Sequence, residues 1–488
     1  MRDTSGQTKA SLSSRFAEAK ACSMARAKSD KYALQSRAER YRSGKALRST
    51  VSRESHANYA VTDKRDPVTI LSKTNETRIP ELLPIRYERM AVSPFAFLRG
   101  AAAVMAADLA QMPQVGIPVQ ACGDCHLINF GAFETPEDEV LFDINDFDET
   151  LPGVDFAVDI KRLVASVAVA AFDAGMSDKQ ARSIAKSTTQ AYREFIGQLA
   201  KLAPLEVWHT RMELEREVKL IDDVKLRGKI LGTLKKAKRD LAADDNFPHL
   251  ASTKGDGPRI EDRPPTIYHL DGAADARHTI RARSAFSAYR ETLPPDRRVL
   301  LDRYRLCDLA FKVVGVGSVG TFCAIGLFVT ADAEPMFLQI KEAQTSVLEW
   351  IGKRKTPIAH QGRRVVEGQR IMQAASDIFL GWTEDQKAGR FFYVRHLKNR
   401  RLGSIGEVIE GNALWAYATL CGRTLARAHA RSGDPAVLAG YMGRSEALDD
   451  ALASFAMAYA EQTKGDHARL IVWLADKNRK KPKAGKKH

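Results

Sequence analysis

Gly123-Asp124-Cys125-His126-Leu127-Ile128-Asn129-Phe130, followed by Phe142-Asp143-Ile144-Asn145-Asp146-Phe147-Asp148-Glu149, is the stretch on which the fold turns. An Asp with an Asn five positions later, running into an apolar strand, has the parts that a kinase-type phosphoryl-transfer loop needs. The Asp accepts the proton of the attacking hydroxyl, and the Asn reaches back to a metal ion on the phosphates. The residues between the two blocks read as a hairpin around a Thr-Pro-Glu-Asp turn. Its far end delivers Asp146, with Asp143 as the fallback. Mg²⁺ wants hard oxygen ligands, and here they would come from two chain segments. The competing reading is an acidic turn whose side chains cap local backbone.

A second motif lies about 190 residues further on. Gly315-Val316-Gly317-Ser318-Val319-Gly320 is a G-x-G-x-x-G. As a dinucleotide fingerprint it requires Gly320 to open a helix. The following TFCAIGLFV is β-branched, aromatic and interrupted by Gly, which favours a strand. Residues 308–342 then read as a three-stranded antiparallel meander. Gly315, Gly317, Ser318 and Gly320 would cover phosphates, and Lys341, on the third strand, would pair with them. The acid that orients Lys341 would come from Glu367 on a following helix, with Glu349 as a rival. A solvent-facing strand Lys is the plain alternative.

Outward from these motifs the chain is ordinary. It has 488 residues, 44% hydrophobic and 28% charged, enough for a large core. No apolar run approaches the roughly 18–20 residues of a membrane span, and the first residues lack the apolar core of a signal peptide. Six cysteines cannot make a disulfide scaffold. A reducing cytoplasm is the expected compartment. Net charge is +15, concentrated at the ends: residues 1–65 carry 15 Lys and Arg against 6 Asp and Glu, and residues 477–488 carry seven cations and no acid. Solvated tails are the plain reading, and weak nucleic-acid contact is the sharper one.

Cys122-Gly-Asp-Cys125-His126 also spells a haem-attachment pattern. Without export, and without a second pair of ligands for zinc, the two cysteines read as small packing residues. His126 reads as a structural support of the loop. Arg99, Arg395 and His396 are further candidates for phosphate contact, against surface or ion-pair roles. The helix end at Ala428-His429-Ala430-Arg431-Ser432-Gly433-Asp434 reads as a border of the cleft.

Taken together, GDCHLINFG, FDINDFDE, GVGSVG, FLQIKEA, RVVEGQRIMQ and LARAHARSGD resemble the bacterial family known as domain of unknown function 2252, over roughly residues 80–465. That family is similar to the protein-kinase-like and aminoglycoside-phosphotransferase superfamily. The resemblance implies Asp124 as catalytic base, Asn129 and Asp146 as metal ligands, and Asp159, early in a helix, as support for the catalytic loop. One departure is large. In ordinary kinases the Gly-rich loop and Lys precede the catalytic loop, and here they follow it. Either the fold is circularly permuted or one motif set is coincidence.

The expected fold is therefore α/β (α+β), kinase-like and two-lobed in permuted order. Residues 1–80 form a disordered or peripheral arm. A mostly helical lobe spans 84–300, a small antiparallel β lobe spans 301–398, helices over 399–465 complete the large lobe, and 466–488 is a basic tail. A charged, Gly/Pro-rich stretch within 205–265 marks an insertion or boundary. The expected function is ATP- and Mg²⁺-dependent phosphoryl transfer to an unknown hydroxyl. The alternative is a non-catalytic nucleotide-binding or scaffold protein, nucleic-acid-associated through its basic ends.

Overall fold

The computed structural model describes residues 35–59, 65–219 apart from 136 and 138, 250–252, 257–269, 282–349 apart from 314, 358–397 apart from 387, and 413–479, with 224, 227–228 and 231–232 between. The architecture is mixed α/β, a helical body with antiparallel sheets.

In chain order the elements that matter are α1 (Arg37–Ala46), α2 (Pro67–Thr74), α3 (Leu83–Ala91), α4 (Pro94–Gly100) and α5 (Ala102–Leu109). Then come β1 (Pro118–Ala121), β2 (Phe130–Glu134), β3 (Val140–Ile144), β4 (Leu151–Asp155), α6 (Ala157–Asp173) and α7 (Asp178–Leu199). A six-stranded sheet follows, from β5 (Ile267–Tyr268), β6 (Arg305–Lys312), β7 (Cys323–Val329), β8 (Pro335–Ala343), β9 (Gly381–Asp385) and β10 (Arg390–His396), with α8 (Gln361–Met372) inserted. The chain returns to the body through α9 (Ala413–Ser432), α10 (Pro435–Met442) and α11 (Ala447–Arg479).

The sheet order is β9-β10-β8-β7-β6-β5, antiparallel throughout. The expected meander is β6-β7-β8. All of β7 is buried, as expected of a strand with an apolar residue at nearly every position. Residues 323–329 are strand, so Gly320 opens no helix and the dinucleotide-fingerprint reading fails.

In the body, α6 is the axis. Its Leu163, Val164, Ala165, Val167 and Ala168 have no exposed surface, and α7, α9 and α11 surround it in one core with Leu425, Phe455 and Tyr459. Ser93 caps α4, accepting the Ala96 N–H at 3.2 Å, with Pro94 at the first helical position. The helical stretch from Pro94 is broken at Ala101, where φ and ψ are −118° and 37°. The β2–β3 hairpin pairs Phe130 with Ile144 and Gly131 with Asp143.

Two boundaries need correction. The described part of the N-terminal arm is packed. α1 lies on α10 so closely that a Cβ on Gly44 would be 2.0 Å from Val437 O, and one on Gly440 would be 2.0 Å from Tyr41 O. Arg65 is buried between Asp108 (2.6 Å) and Asp466 (2.5 Å). Glycine contacts and distant ion pairs leave no apolar periodicity to read. At the other end α11 runs on to Arg479, because Leu470 still packs on Leu71, Tyr87 and Phe97. Residues 1–34 and 480–488, which carry much of the charge excess, lie outside the described residues, as does nearly half of the expected 205–265 insertion.

Candidate active site

Between β1 and β2 the chain turns sharply. Gly123 has φ +90°, and a Cβ there would lie 2.4 Å from Glu149 O, so the two acidic loops cross backbone to backbone. Asp159, fully buried in the first turn of α6, accepts the N–H groups of Cys122 (2.6 Å) and Gly123 (2.9 Å). His429 Nε2 lies 3.1 Å from the same carboxylate, and its Nδ1 lies 2.8 Å from the Tyr192 hydroxyl. Ser166, two turns along α6, accepts the Leu127 N–H at 2.9 Å. A helix thus fixes the loop through its amide groups.

The loop's own side chains face a cavity of about 330 Å³. Asp124 Oδ1 receives Arg162 Nη2 (2.6 Å) and Nε (3.0 Å), and Oδ2 lies 3.8 Å from His126 Nε2. Asn129 Nδ2 donates to the Asp124 carbonyl at 2.5 Å, which commits the nitrogen and leaves the amide oxygen as the atom that could reach a metal ion. His126 is buried in the cavity wall. Burial pushes its pKa down to about 4 despite the neighbouring Asp124, and its Nδ1 has no hydrogen-bond partner among the described residues.

The far end of the β2–β3 hairpin brings Asp146, Asp148 and Glu149 to the same cavity. The Asp146 carboxylate accepts the Asp148 N–H at 3.2 Å. Glu149 accepts the Val347 N–H at 2.7 Å, and burial raises its pKa to about 7. From the sheet come Gly315, Val316, Gly317, Ser318 and Thr321. Asp124, Asn129, Asp146, Gly315, Gly317 and Ser318 therefore line one cavity. Gly320 stands just behind, its carbonyl taken by the Ile79 N–H at 2.8 Å.

Lys341 Nζ sits 2.6 Å from Asp148 Oδ2, and Tyr393 donates its hydroxyl to Asp148 Oδ1 at 2.6 Å. Burial works against the ammonium, but Asp146 and Asp148 hold it charged, with its pKa well above the usual lysine value. The expected partner Glu367 is elsewhere. It pairs with Arg363 one turn away on α8 at 2.6 Å, so that assignment is corrected to Asp148. Glu349, the rival, keeps one carboxylate oxygen buried without a hydrogen-bond partner among the described residues.

Asp143 also needs correction. It is a buried ion-pair partner of Arg427 and accepts the Ala374 N–H at 3.0 Å, which removes it as a metal ligand. Arg395, a phosphate candidate, instead bonds Gln339 Oε1 (3.0 Å) and Asn145 O (3.3 Å), while His396 gives its N–H to Asp377. Cys122 and Cys125 are buried free thiols; the hydrogen bond between them, then burial, raises the Cys122 pKa, and burial raises Cys125 to about 11.

Four contributors carried no assigned role in the sequence: Asp148, Arg162, Arg364 and Tyr393. Arg364 is fully buried and joins the two parts, donating to Asp148 O (2.8 Å), Gln344 O (2.9 Å) and Thr150 O. The available signal was an Arg at a buried position of an amphipathic helix.

Among the described residues no group of three or more His, Cys, Asp and Glu side chains is arranged to hold a metal ion. Asn129 and Asp146 offer two protein oxygens. Mg²⁺ commonly binds through that few, taking its other ligands from water and phosphate.

A family model described as an uncharacterized protein conserved in bacteria (DUF2252) matches residues 78–472. The chain belongs to the DUF2252 family. The matched DUF2252 span opens at Arg78, whose guanidinium holds Val319 O of the Gly-rich loop at 2.5 Å, and it takes in both motif sets. No curated protein and no solved structure matches the chain. No helix among the described residues is long and apolar enough to cross a membrane.

Proposed function

We propose that this DUF2252 protein transfers the terminal phosphoryl group of a nucleoside triphosphate, ATP in the first instance, to a hydroxyl acceptor with Mg²⁺. The observation that carries the reading is the shared cavity. Asp124, Asn129 and Asp146 meet Gly315, Gly317 and Ser318 there, although the two motifs are about 190 residues apart in the chain. Convergence of that kind supports a kinase-like arrangement of two lobes in permuted order over coincidence of either motif.

Each residue then has one task. Asp124 Oδ2 takes the proton of the acceptor hydroxyl as the acceptor oxygen bonds to the terminal phosphorus. The bond from phosphorus to the bridging oxygen breaks, and the nucleoside diphosphate leaves. Arg162 fixes the Asp124 carboxylate so that one oxygen faces the cavity. The amides of the Gly315–Ser318 loop receive phosphate oxygens, and Lys341, held by Asp148, adds positive charge at their edge. Asn129 Oδ1 and Asp146 would hold Mg²⁺, which neutralises phosphate charge.

Melting in the presence of nucleotide tests this. Mg²⁺ with ATP is expected to raise the melting temperature, by about 2.7 kcal/mol of added stability at a hundredfold excess over Kd. Asp146→Ala is expected to abolish the Mg²⁺-dependent part. Absence of any nucleotide effect in the parent protein would remove the reading.

The Arg162 pair favours a second reading. A carboxylate whose Oδ1 is already bonded twice by a guanidinium has half of its acceptor capacity committed to the protein, which suits a nucleotide-binding scaffold. Measurable ATP consumption separates the two.

A further inference from the structure

Five arginines besides Arg99 stand at or beside the cavity, and each is committed. Arg78 donates to Val319 O and Thr74 O, Arg86 to Asn75 Oδ1 and Gly100 O, and Arg89 to Gly315 O. Arg162 holds Asp124, and Arg364 holds the carbonyls between the two parts. Arg99 differs. Its guanidinium has no hydrogen bond among the described residues, whereas Arg86, whose Nε is likewise buried without a partner there, keeps two bonds through Nη1 and Nη2. It lines the cavity from the last turn of α4.

Its position is also distinctive. A Cβ on Gly317 would lie 3.2 Å from Arg99 O, so the Gly-rich loop runs directly over this residue. On the other side the Asp124 carboxylate steadies its charge against burial, and the Arg99 charge in turn acts on His126. Arg99 thus stands between the phosphate-covering loop and the base. A half-buried cation whose guanidinium makes no hydrogen bond among the described residues is unfavourable until an anion reaches it.

We propose that Arg99 is a catalytic residue that grips the terminal phosphoryl group while it passes from nucleotide to acceptor. This rests on the phosphotransferase reading. In such a transfer negative charge lies on the three equatorial oxygens, and a planar guanidinium can meet two of them at once. Lys341, already neutralised by Asp148, is less suited to that place.

ATP and ADP differ in the group concerned, so no acceptor is needed for the test. Affinities of the parent, Arg99→Gln and Arg99→Lys for Mg²⁺–ATP and Mg²⁺–ADP are measured by titration, with each protein's own melting temperature as the folding control. Arg99→Gln is expected to weaken ATP by about tenfold to a hundredfold, as for loss of a charged hydrogen bond, and to leave ADP within about twofold. Arg99→Lys, which keeps the charge and loses the fork, is expected to fall between. An unchanged preference for ATP over ADP in both variants, or equal losses for the two nucleotides, overturns the role of Arg99 and leaves the phosphotransferase reading standing. Failure of the parent to bind either nucleotide overturns that reading, and this inference with it.

Discussion

The loop at residues 122–130 is held at its amide groups as well as at the carbonyls that Tyr417 takes, whereas the loop at 315–321 is held by groups that reach its carbonyls. In the first, Asp159 and Ser166 accept the N–H groups of Cys122, Gly123 and Leu127 from inside the core. In the second, Arg89, Arg78 and the Ile79 N–H take the carbonyls of Gly315, Val319 and Gly320. An amide-held loop presents its side chains, and here those are Asp124 and Asn129. A carbonyl-held loop keeps backbone N–H groups for an anion. The first wall of the cavity is fixed by buried helices. The second is fixed by a neighbouring surface segment and can be loosened without unfolding the core.

The harshest test of this contrast is Asp124→Asn. It is expected to lower the rate of phosphoryl transfer by about 10²–10⁴. ATP-dependent stabilisation should persist, because the nucleotide wall is untouched. Equal turnover by variant and parent would show that the rigid wall does not carry the chemistry.

Asp159→Ala attacks the anchor itself. It leaves two buried N–H groups and His429 without their acceptor, and urea unfolding should record a loss of about 3–5 kcal/mol. A loss below about 1 kcal/mol would mean that the loop is held elsewhere.

Glu149 sits where the two walls meet, and its response is read through pH. Its pKa is raised from 4.5 to about 7, so the folded chain holds that proton more tightly than the unfolded chain. Its stabilising contribution is complete below about pH 4.5 and is lost as pH rises through 7. Glu149→Gln, fixed neutral, should flatten that slope and be more stable than the parent at pH 8 by up to roughly 3 kcal/mol. His126, with its pKa lowered to about 4, contributes the opposite slope, so denaturation of both proteins at several pH values is needed. An unchanged slope would remove Glu149 as its source.

Arg89→Ala should have the smallest effect, about 1 kcal/mol or less in stability, since it removes one solvent-side hydrogen bond. Hydrogen exchange of the amides at 316–319 should nevertheless accelerate while those at 122–129 stay protected. Parallel acceleration in both loops would erase the distinction between the walls.

The same contrast sets what could be read in advance. That Asp124, Asn129 and Asp146 belong to one cavity was legible, because the kinase-type loop they resemble has short, fixed spacings along the chain. The meander at β6-β7-β8 was legible because a strand with apolar, β-branched and aromatic residues at nearly every position excludes a helix after Gly320. The partners were not. Asp148 reaches Lys341 across 193 positions, and Arg427 reaches Asp143 across 284. No local pattern states which of Asp143, Asp146 and Asp148 points inward, outward or to the sheet. Glu367 was misassigned for a related reason: the helix was recognisable, but its composition does not say which face meets β8. The packed N-terminal arm escaped because its contacts run through glycines and through Arg40, Arg48, Arg53 and Arg65, whose partners lie far along the chain.

The order of the two walls along the chain bears on how the protein is made. A ribosome completes the acidic loop long before it reaches Lys341 and Arg364. Until then Asp146, Asp148 and Glu149 stand close together in the growing chain without their cation and donor. Later synthesis brings that charge with the sheet, and α9 and α11, which complete the body around α6, come later still, so the docking of the sheet on the acidic loop is an ionic step. Its rate should fall as salt screens the attraction, whereas collapse of the α6-centred core, driven by apolar burial, should not.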